Sequence, residues 1–147
     1  MKIRAMTKTD FDALRAVVDA WWGGRAMQAL LHPVYLYQFG NMAFVAENDG
    51  TLAGFVVGFV SQTQRHEAYI HLVGTSPDFR KQGVARKLYE HFFAQALGEN
   101  CRQVKAITSP ANQVSIDFHE RMGFQLSLEK NYSGPGQDRV VFVRMLS

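Results

Sequence analysis

A strand-like segment that runs through a short loop into a glycine-containing helix start constrains the fold of this chain more than any other feature. Glu67 to Thr75 has the alternating pattern of a half-buried strand. The loop Ser76–Phe79 then leads into Arg80-Lys81-Gln82-Gly83-Val84-Ala85 and a helix with a wide apolar face that extends to Leu97. The first N–H groups of a helix lack partners inside the helix, and its dipole adds roughly half a positive charge there. The sequence therefore predicts an anion-binding turn.

The sequence motifs around Gly83 indicate which class of anion the turn could bind. The chain has neither the G-x-x-x-x-G-K-[ST] motif of nucleoside triphosphate sites nor the G-x-G-x-x-G motif of dinucleotide sites. Its formal net charge is +3, but the basic residues are scattered, and only Arg80-Lys81 and Arg86-Lys87 come close together. This pattern favours one small polyanionic ligand over nucleic acid. The alternative is that Gly83 simply opens an amphipathic helix after a surface loop.

The remaining periodicities predict alternating strands and helices around this unit. A strand at 2–6 precedes a helix capped by Thr7 or Thr9 and stopped by Gly23 and Gly24. A short second helix at 25–31 is expected to end at Pro33, and Asn48-Asp49-Gly50 predicts a hairpin between strands at 42–47 and 52–62. Further strands are expected at 103–108, 124–128 and 139–145, with a helix from Ser109-Pro110 to about Met122.

A second segment, Ser109 to Phe124, adds polar residues at helical spacing. Asn112, Ser115 and His119 stand at i, i+3 and i+7, so they share one face of the predicted helix. Together with Arg80, Gly83 and Ala85, and with His119-Glu120-Arg121-Met122-Gly123-Phe124, this segment strongly resembles the GNAT superfamily of N-acetyltransferases. In that family the histidine position usually holds a tyrosine.

The resemblance covers most of the chain and implies a fold. The expected class is α/β of the α+β type, with a mixed, mostly antiparallel sheet of about seven strands and about four helices. The strands at 67–75 and 103–108 are expected to splay apart and open a slot for a thioester.

The resemblance also implies acetyl-CoA as the acyl donor. The pyrophosphate is expected on the backbone amides of the turn, the pantetheine along the strand at 67–75, and the thioester oxygen near the N–H of Val73 or Gly74. The expected cofactor-binding residues are Val73, Gly74, Thr75, Arg80, Lys81, Gln82, Gly83, Val84, Ala85, Asn112 and Ser115.

Transfer of an acetyl group to an amine needs a base, an oxyanion donor and an acid for the leaving thiolate. Glu67 and His71 share one face of their strand and are the candidate bases. Glu67 is the first choice because its spacing before Arg80 resembles that of the base in histone-type members of the family. His71 is the second because imidazole has an ordinary pKa of about 6.5. His119 is the candidate acid, with simple contact to pantetheine as the alternative.

Composition sets the remaining expectations. A chain of 147 residues with 47% hydrophobic and 20% charged residues is typical of a single globular domain, here residues 1–147. Cys101, the single cysteine, predicts a small buried residue without disulfide, and no metal site is expected. The N-terminus lacks the pattern of a secretory signal, and the longest apolar run, Leu52 to Val60, is too short to cross a membrane, so a cytoplasmic protein is expected.

The acceptor is not identified by any residue. In this family the segment that borders the acceptor pocket corresponds to one that here holds several bulky aromatic residues, Trp21, Trp22, Tyr35, Tyr37 and Phe39. Core packing or a homodimer interface is the alternative use of these residues. A small-molecule or peptide amine is expected, without a nucleic-acid or membrane partner. The competing hypothesis is a non-catalytic acyl-CoA-binding or regulatory module of the same fold.

Overall fold

The structure is a computed structural model that describes residues 1–146. Within those residues the chain forms seven strands, four α-helices and three 3₁₀ turns. The strands are β1 (Lys2–Ala5), β2 (Ala43–Asn48), β3 (Thr51–Val60), β4 (Glu67–Thr75), β5 (Gln103–Thr108), β6 (Gln125–Glu129) and β7 (Arg139–Met145). The helices are α1 (Lys8–Trp21), α2 (Val34–Tyr37), α3 (Val84–Gly98) and α4 (Gln113–Arg121), and the 3₁₀ turns are Gln28–Leu30, Gly40–Met42 and Pro77–Phe79.

The strands pair in the order β1-β2-β3-β4-β5-β7-β6. Pairing is antiparallel between β1 and β2, β2 and β3, β5 and β7, and β6 and β7, whereas β4 and β5 are parallel. The parallel pairing covers the first three residues of each strand, from Glu67↔Gln103 to Tyr69↔Lys105. The predicted mixed, mostly antiparallel sheet of seven strands is confirmed, and the short pairing is what two strands that splay require.

The contacts of the chain divide it into two compact units. The first unit contains Met1–Phe59 and Ile70–Gln95, and the second contains Val60–Tyr69 and the chain from Ala96 onward. The expectation of a single domain over residues 1–147 stays a prediction.

The first unit has its core between α1 and the β2–β3 hairpin. Phe11, Leu14 and Val18 form the buried stripe of α1, and they cluster with Val45 and Phe55 from the strands. The turn between the strands has a left-handed backbone at both Asp49 (φ 50°) and Gly50 (φ 82°), as a two-residue hairpin turn needs. The predicted hairpin is confirmed.

The start of α1 is fixed by a capping box. The Asp10 N–H donates to the Thr7 Oγ1 (3.2 Å), and the Thr7 N–H donates to the Asp10 Oδ2 (2.8 Å). The Arg4 guanidinium adds two hydrogen bonds to the same carboxylate, at 2.6 and 3.0 Å, and a longer one to Glu47 (3.3 Å). Arg4 therefore joins β1 and β2 to the first turn of α1.

The prediction of a short helix at 25–31 that ends at Pro33 is wrong. A 3₁₀ turn forms at Gln28–Leu30 instead, and Pro33 stands before the first residue of α2 rather than after the last residue of a helix. Proline fits at a helix start because the missing N–H has no partner there in any case. The 3₁₀ turn is favoured by Asp19, whose carboxylate accepts the N–H groups of Met27 and Gln28, both at 2.8 Å.

In the second unit, α4 starts later than predicted. The cap is Asn112, whose side chain accepts the N–H of Ser115 (3.2 Å), rather than Ser109. The Ser109 hydroxyl accepts the N–H of Ala111 (3.4 Å) in a preceding turn, so it serves the loop and not the helix. Gly123 follows the helix with φ 86°, as expected of its end. Cys101 is buried, with 3% of its surface exposed, as predicted.

Candidate functional site

The turn between β4 and α3 has the backbone that an anion site needs. Lys81 (φ 63°) and Gly83 (φ 74°) are both left-handed, and the Lys87 N–H donates to the Gly83 carbonyl (3.0 Å) as the helix begins. Residues 80–83 are exposed, and a Cβ placed on Gly83 would meet no atom within 4 Å. The first N–H groups of α3 therefore adjoin open space.

Val84 anchors this turn in the first unit. The side chain is 2% exposed, and a Cβ on Gly54 of β3 would stand 2.7 Å from both Val84 Cγ1 and the Gly74 carbonyl oxygen. Gly54 thus allows β3, β4 and the start of α3 to approach closely.

Arg80 is held in place by the end of α1. Its Nη2 donates a hydrogen bond to the Trp21 carbonyl oxygen, with 2.7 Å between the two atoms, and the residue is exposed. A guanidinium has five N–H donors, so this bond orients the group and leaves its charge in place. Ala85 is half-buried in the first turn of α3, and the Gln82 amide makes a long hydrogen bond to the Asp78 carbonyl (3.5 Å).

The last residues of β4 are packed against aromatic side chains of the first unit. A Cβ on Gly74 would lie 2.6 Å from Trp22 Cη2 and 2.6 Å from Phe55 Cε1. Gly74 is buried, and Val73 and Thr75 on either side are half-buried. The sequence did not predict that Trp22 packs on this strand, because glycine at position 74 gives no local signal of the ring above it.

His71 is fixed by two neighbours in the first unit. Its Nε2 lies 2.9 Å from the Leu30 carbonyl oxygen, and its ring stacks on Tyr35 with centroids 4.4 Å apart and planes 9° apart. Because a carbonyl oxygen only accepts, Nε2 carries the proton. Burial lowers the pKa of His71, and the hydrogen bond to the Leu30 carbonyl opposes this only in part.

Glu67, in the second unit, is buried and hydrogen-bonded. The residue is 9% exposed, and its Oε1 accepts a hydrogen bond from Gln103 Nε2 at 2.7 Å. Gln103 is the residue opposite Glu67 in the parallel pairing of β4 and β5. Sequence reasoning did not single out Gln103, since its role depends on the strand register.

His119 lies inside the second unit, and its ring is parallel to Phe142 at 4.0 Å. The residue is 4% exposed, and its Nδ1 is 2.7 Å from the Ser115 carbonyl oxygen. Burial lowers the pKa of His119 to about 4, although the bond to Ser115 acts in the other direction. The structure therefore brings together Ser115 and His119, as their spacing predicted, with Asn112 at the start of the same helix.

Two other kinds of feature are absent from the residues that the structure describes. None of the helices in residues 1–146 is long and apolar enough to cross a membrane. Over the same residues, no group of three or more His, Cys, Asp or Glu side chains could hold a metal ion.

Solved structures place this fold in a known class. Ard1 from Thermoplasma volcanium superposes with a TM-score of 0.83 at 22% identity, over 99% of this chain and 97% of that one. The structure of yncA from Salmonella typhimurium, solved with its cofactor acetyl-CoA, gives a TM-score of 0.75 at 19% identity, covering 99% and 94%. The chain therefore shares the fold of these two structures.

The sequence carries the identification further. A family model described as the acetyltransferase (GNAT) family matches residues 11–124, and the chain belongs to this family. It is also similar to the aminoglycoside N(6')-acetyltransferase type 1 of Salmonella typhimurium, with 27% identity over 156 aligned positions and 98% of each chain covered. The predicted family and enzyme class are confirmed.

Proposed function

We propose that this protein transfers an acetyl group from acetyl-CoA to a primary amine by direct attack in a ternary complex. The observation that carries the proposal is the turn at Arg80–Ala85, where a left-handed Gly83 leaves open space beside the first N–H groups of α3. A pyrophosphate fits such a turn because it accepts several N–H donors at once and complements the positive end of the helix. Arg80 and Lys81 add charge on the exposed side.

The reaction moves one acetyl group and releases one proton. The ammonium group loses one proton, the lone pair of the neutral nitrogen forms the C–N bond, and the C–S bond breaks with its electron pair going to sulfur. The nitrogen, now bonded to the acetyl carbon, loses a second proton and the thiolate takes one up, so that the products are an amide, coenzyme A and one H⁺. The backbone N–H of Val73 or Gly74 is the proposed donor to the oxyanion.

The proton acceptor is proposed to come from β4, and two residues are candidates. Glu67 has the spacing of a family base, but its carboxylate is buried and bonded to Gln103. His71 has a neutral ring of defined tautomer. Glu67→Gln and His71→Gln, compared for kcat/KM and for acetyl-CoA affinity, separate the two: the base variant loses about 10²-fold in rate and keeps its affinity for acetyl-CoA.

His119 is proposed not to act as an acid near neutral pH, which leaves contact with pantetheine as the role that the family resemblance implies. Its Nδ1 proton is directed at the Ser115 carbonyl oxygen. With a pKa of about 4, the ring stays neutral at pH 7. Asn112 and Ser115 are proposed to contribute to donor binding through the same helix start.

A monoamine is the acceptor that the chain's charges support. Residues 20–46, which supply the neighbours of His71, include no Asp or Glu. The nearest upstream carboxylate, Asp19, already accepts two backbone N–H groups. Carboxylates complement the charge of a polycationic amino sugar, whereas an amine with an apolar or peptide substituent depends on them less.

The test is a thiol-release assay with acetyl-CoA and a panel of arylalkylamines, amino acids, short peptides and aminoglycosides. We expect release that depends on an amine, with higher kcat/KM for monoamines than for aminoglycosides. Acetyl-CoA binding without amine-dependent release would support the non-catalytic module instead. A preference for aminoglycosides would retain the reaction and reject the acceptor class.

A further inference from the structure

The contacts of His71 give a specific role to Tyr35, which the sequence placed only among the aromatic residues of the acceptor segment. Tyr35, on the short helix α2, covers the His71 ring with nearly parallel planes, and both side chains are half-buried. The same tyrosine continues into a cluster with Phe39 (6.0 Å) and Phe59 (6.4 Å), and those two rings are 5.1 Å apart. Tyr35 is therefore itself held by packing, which lets it fix the plane of the imidazole.

The Leu30 carbonyl settles which nitrogen of His71 can accept a proton. Its oxygen is 2.9 Å from Nε2, so Nε2–H is the donor and the lone pair of the neutral ring is on Nδ1. Leu30 ends the 3₁₀ turn at Gln28–Leu30, which the Asp19 carboxylate caps. A backbone carbonyl on a capped turn is a fixed partner, unlike a side chain that can change rotamer.

We propose that Tyr35 and the Leu30 carbonyl are positioning groups that hold His71 as the proton acceptor, with Nε2 protonated and Nδ1 receiving the proton of the amine. This inference rests on the proposed function. The step converts the ammonium group to a neutral amine and His71 to an imidazolium, which returns the proton to water after the transfer. Glu67 then has a structural role with Gln103.

Two properties of the pair support the assignment. Stacking fixes the ring plane while the hydrogen bond fixes rotation within that plane, so together they leave the imidazole one orientation. Burial also keeps the ring neutral, because the pKa of His71 is lowered. A base that is unprotonated before the amine binds is ready for each turnover.

The test combines variants with a spectroscopic measurement on the whole protein. His71→Gln keeps a donor for the Leu30 carbonyl but has no basic nitrogen, and kcat should fall about 10²-fold. Tyr35→Ala should lower kcat about 10-fold with an unchanged KM for acetyl-CoA, and Tyr35→Phe should stay within about twofold of wild type. In the His71→Gln background, Tyr35→Ala should lower kcat no further, since residues that act together are not additive.

Gln38→Ala is the matched control, because Gln38 directly follows the same helix and is exposed. It should leave kcat and the His71 resonances unchanged. The ¹⁵N spectrum of wild-type protein with labelled histidine should show His71 protonated at Nε2, and Tyr35→Ala or Tyr35→Leu should produce exchange between tautomers.

Several results would overturn the inference. These are a proton on Nδ1 in wild type, equal losses in kcat from Tyr35→Ala with and without His71, or a Tyr35→Phe variant as slow as Tyr35→Ala. If wild type releases no thiol with any amine, the proposed function fails instead, and the ¹⁵N spectrum still decides whether Tyr35 and Leu30 fix the ring. Should Tyr35→Ala not fold, Tyr35→Leu replaces it in the cycle.

Discussion

His119 is a histidine whose surroundings hold the ring neutral. Its Nδ1 donates a hydrogen bond to the Ser115 carbonyl, and the parallel Phe142 ring covers one of its faces. Protonating the ring would bury a charge. With a pKa of about 4, only about one ring in a thousand is charged at pH 7.

We expect His119→Phe to keep kcat within about threefold of wild type at pH 7, since a loss near 10²-fold is what removing an acid would produce. Initial rates at saturating acetyl-CoA check this.

The same substitution, His119→Phe, should change the pH dependence of stability. Unfolded histidine takes up a proton near pH 6.5, but the folded ring does so only near pH 4, so the wild-type free energy of unfolding falls between those values, by about 3 kcal/mol.

Chemical denaturation at pH 7, 5.5 and 4 measures that loss. The stabilising effect of the lowered pKa is fully present above pH 6.5 and disappears as the pH falls through 4. His119→Phe should be less sensitive over this range. Equal pH slopes for the two proteins would show that His119 is not the group responsible.

Gly83 is the residue on which the proposed anion site depends most directly. We expect Gly83→Val to weaken acetyl-CoA binding about 10-fold or more, because a side chain would fill the space beside the N–H groups and strain a left-handed backbone. Titration calorimetry measures the affinity. Gly136→Val is the control, since Gly136 has the same φ of 74° and equally open surroundings. Similar losses of affinity in both variants would attribute the effect to strain alone.

At the scale of elements, the start of α1 concentrates several stabilising contacts on one carboxylate. The hydrogen bonds from Arg4 are the main cause that lowers the pKa of Asp10, and those from Thr7 add to it. A group with a lowered pKa stabilises the fold above its ordinary value near 4 and loses that effect as the pH falls below it.

Asp10→Ala should reduce the free energy of unfolding by about 2 kcal/mol at pH 7, because the hydrogen bond to the Thr7 N–H and both bonds from Arg4 to this carboxylate are lost. Denaturant melts check the value, and the difference from wild type should shrink at pH 3. Asp12→Ala is the matched control because Asp12 is exposed and pairs only with Lys8 one turn earlier. It should change stability by less than about 0.5 kcal/mol. A comparable loss from Asp12→Ala would contradict the special role of the cap.

The elements also show where local sequence is informative. β4, β5 and β7 occupy the predicted residues. Polar and apolar residues alternate in β4 and β5, and β7 is a short run of β-branched and aromatic residues, so each pattern favours a strand. Pro33 and Ser109 misled the prediction, since each residue type is favoured in two neighbouring contexts. Pro33 fits both after a helix and at its start, and Asn112 competes with Ser109 for the cap.

For the whole molecule, the order of the elements, the Arg80–Ala85 turn and the Ser109–Phe124 segment together were sufficient to predict the sheet and the family. What could not be predicted are contacts between residues far apart in sequence. Tyr35 contacts His71, and Arg80 contacts Trp21, through the tertiary packing of β4, α1 and α2. The periodicity of a sequence does not predict such contacts, so the sequence left Glu67 and His71 as alternative bases.

The bond between Arg80 and the Trp21 carbonyl joins the proposed phosphate site to the end of α1. A ligand that binds through Arg80 therefore changes the stability of the end of α1. By thermodynamic linkage, a change at the end of α1 alters the affinity for that ligand in turn. Substitutions that fray the last turn of α1 are then expected to weaken acetyl-CoA binding at the proposed site, because Arg80 loses the partner that orients it. Selection on the residues around Trp22 would act on donor affinity as well as on packing.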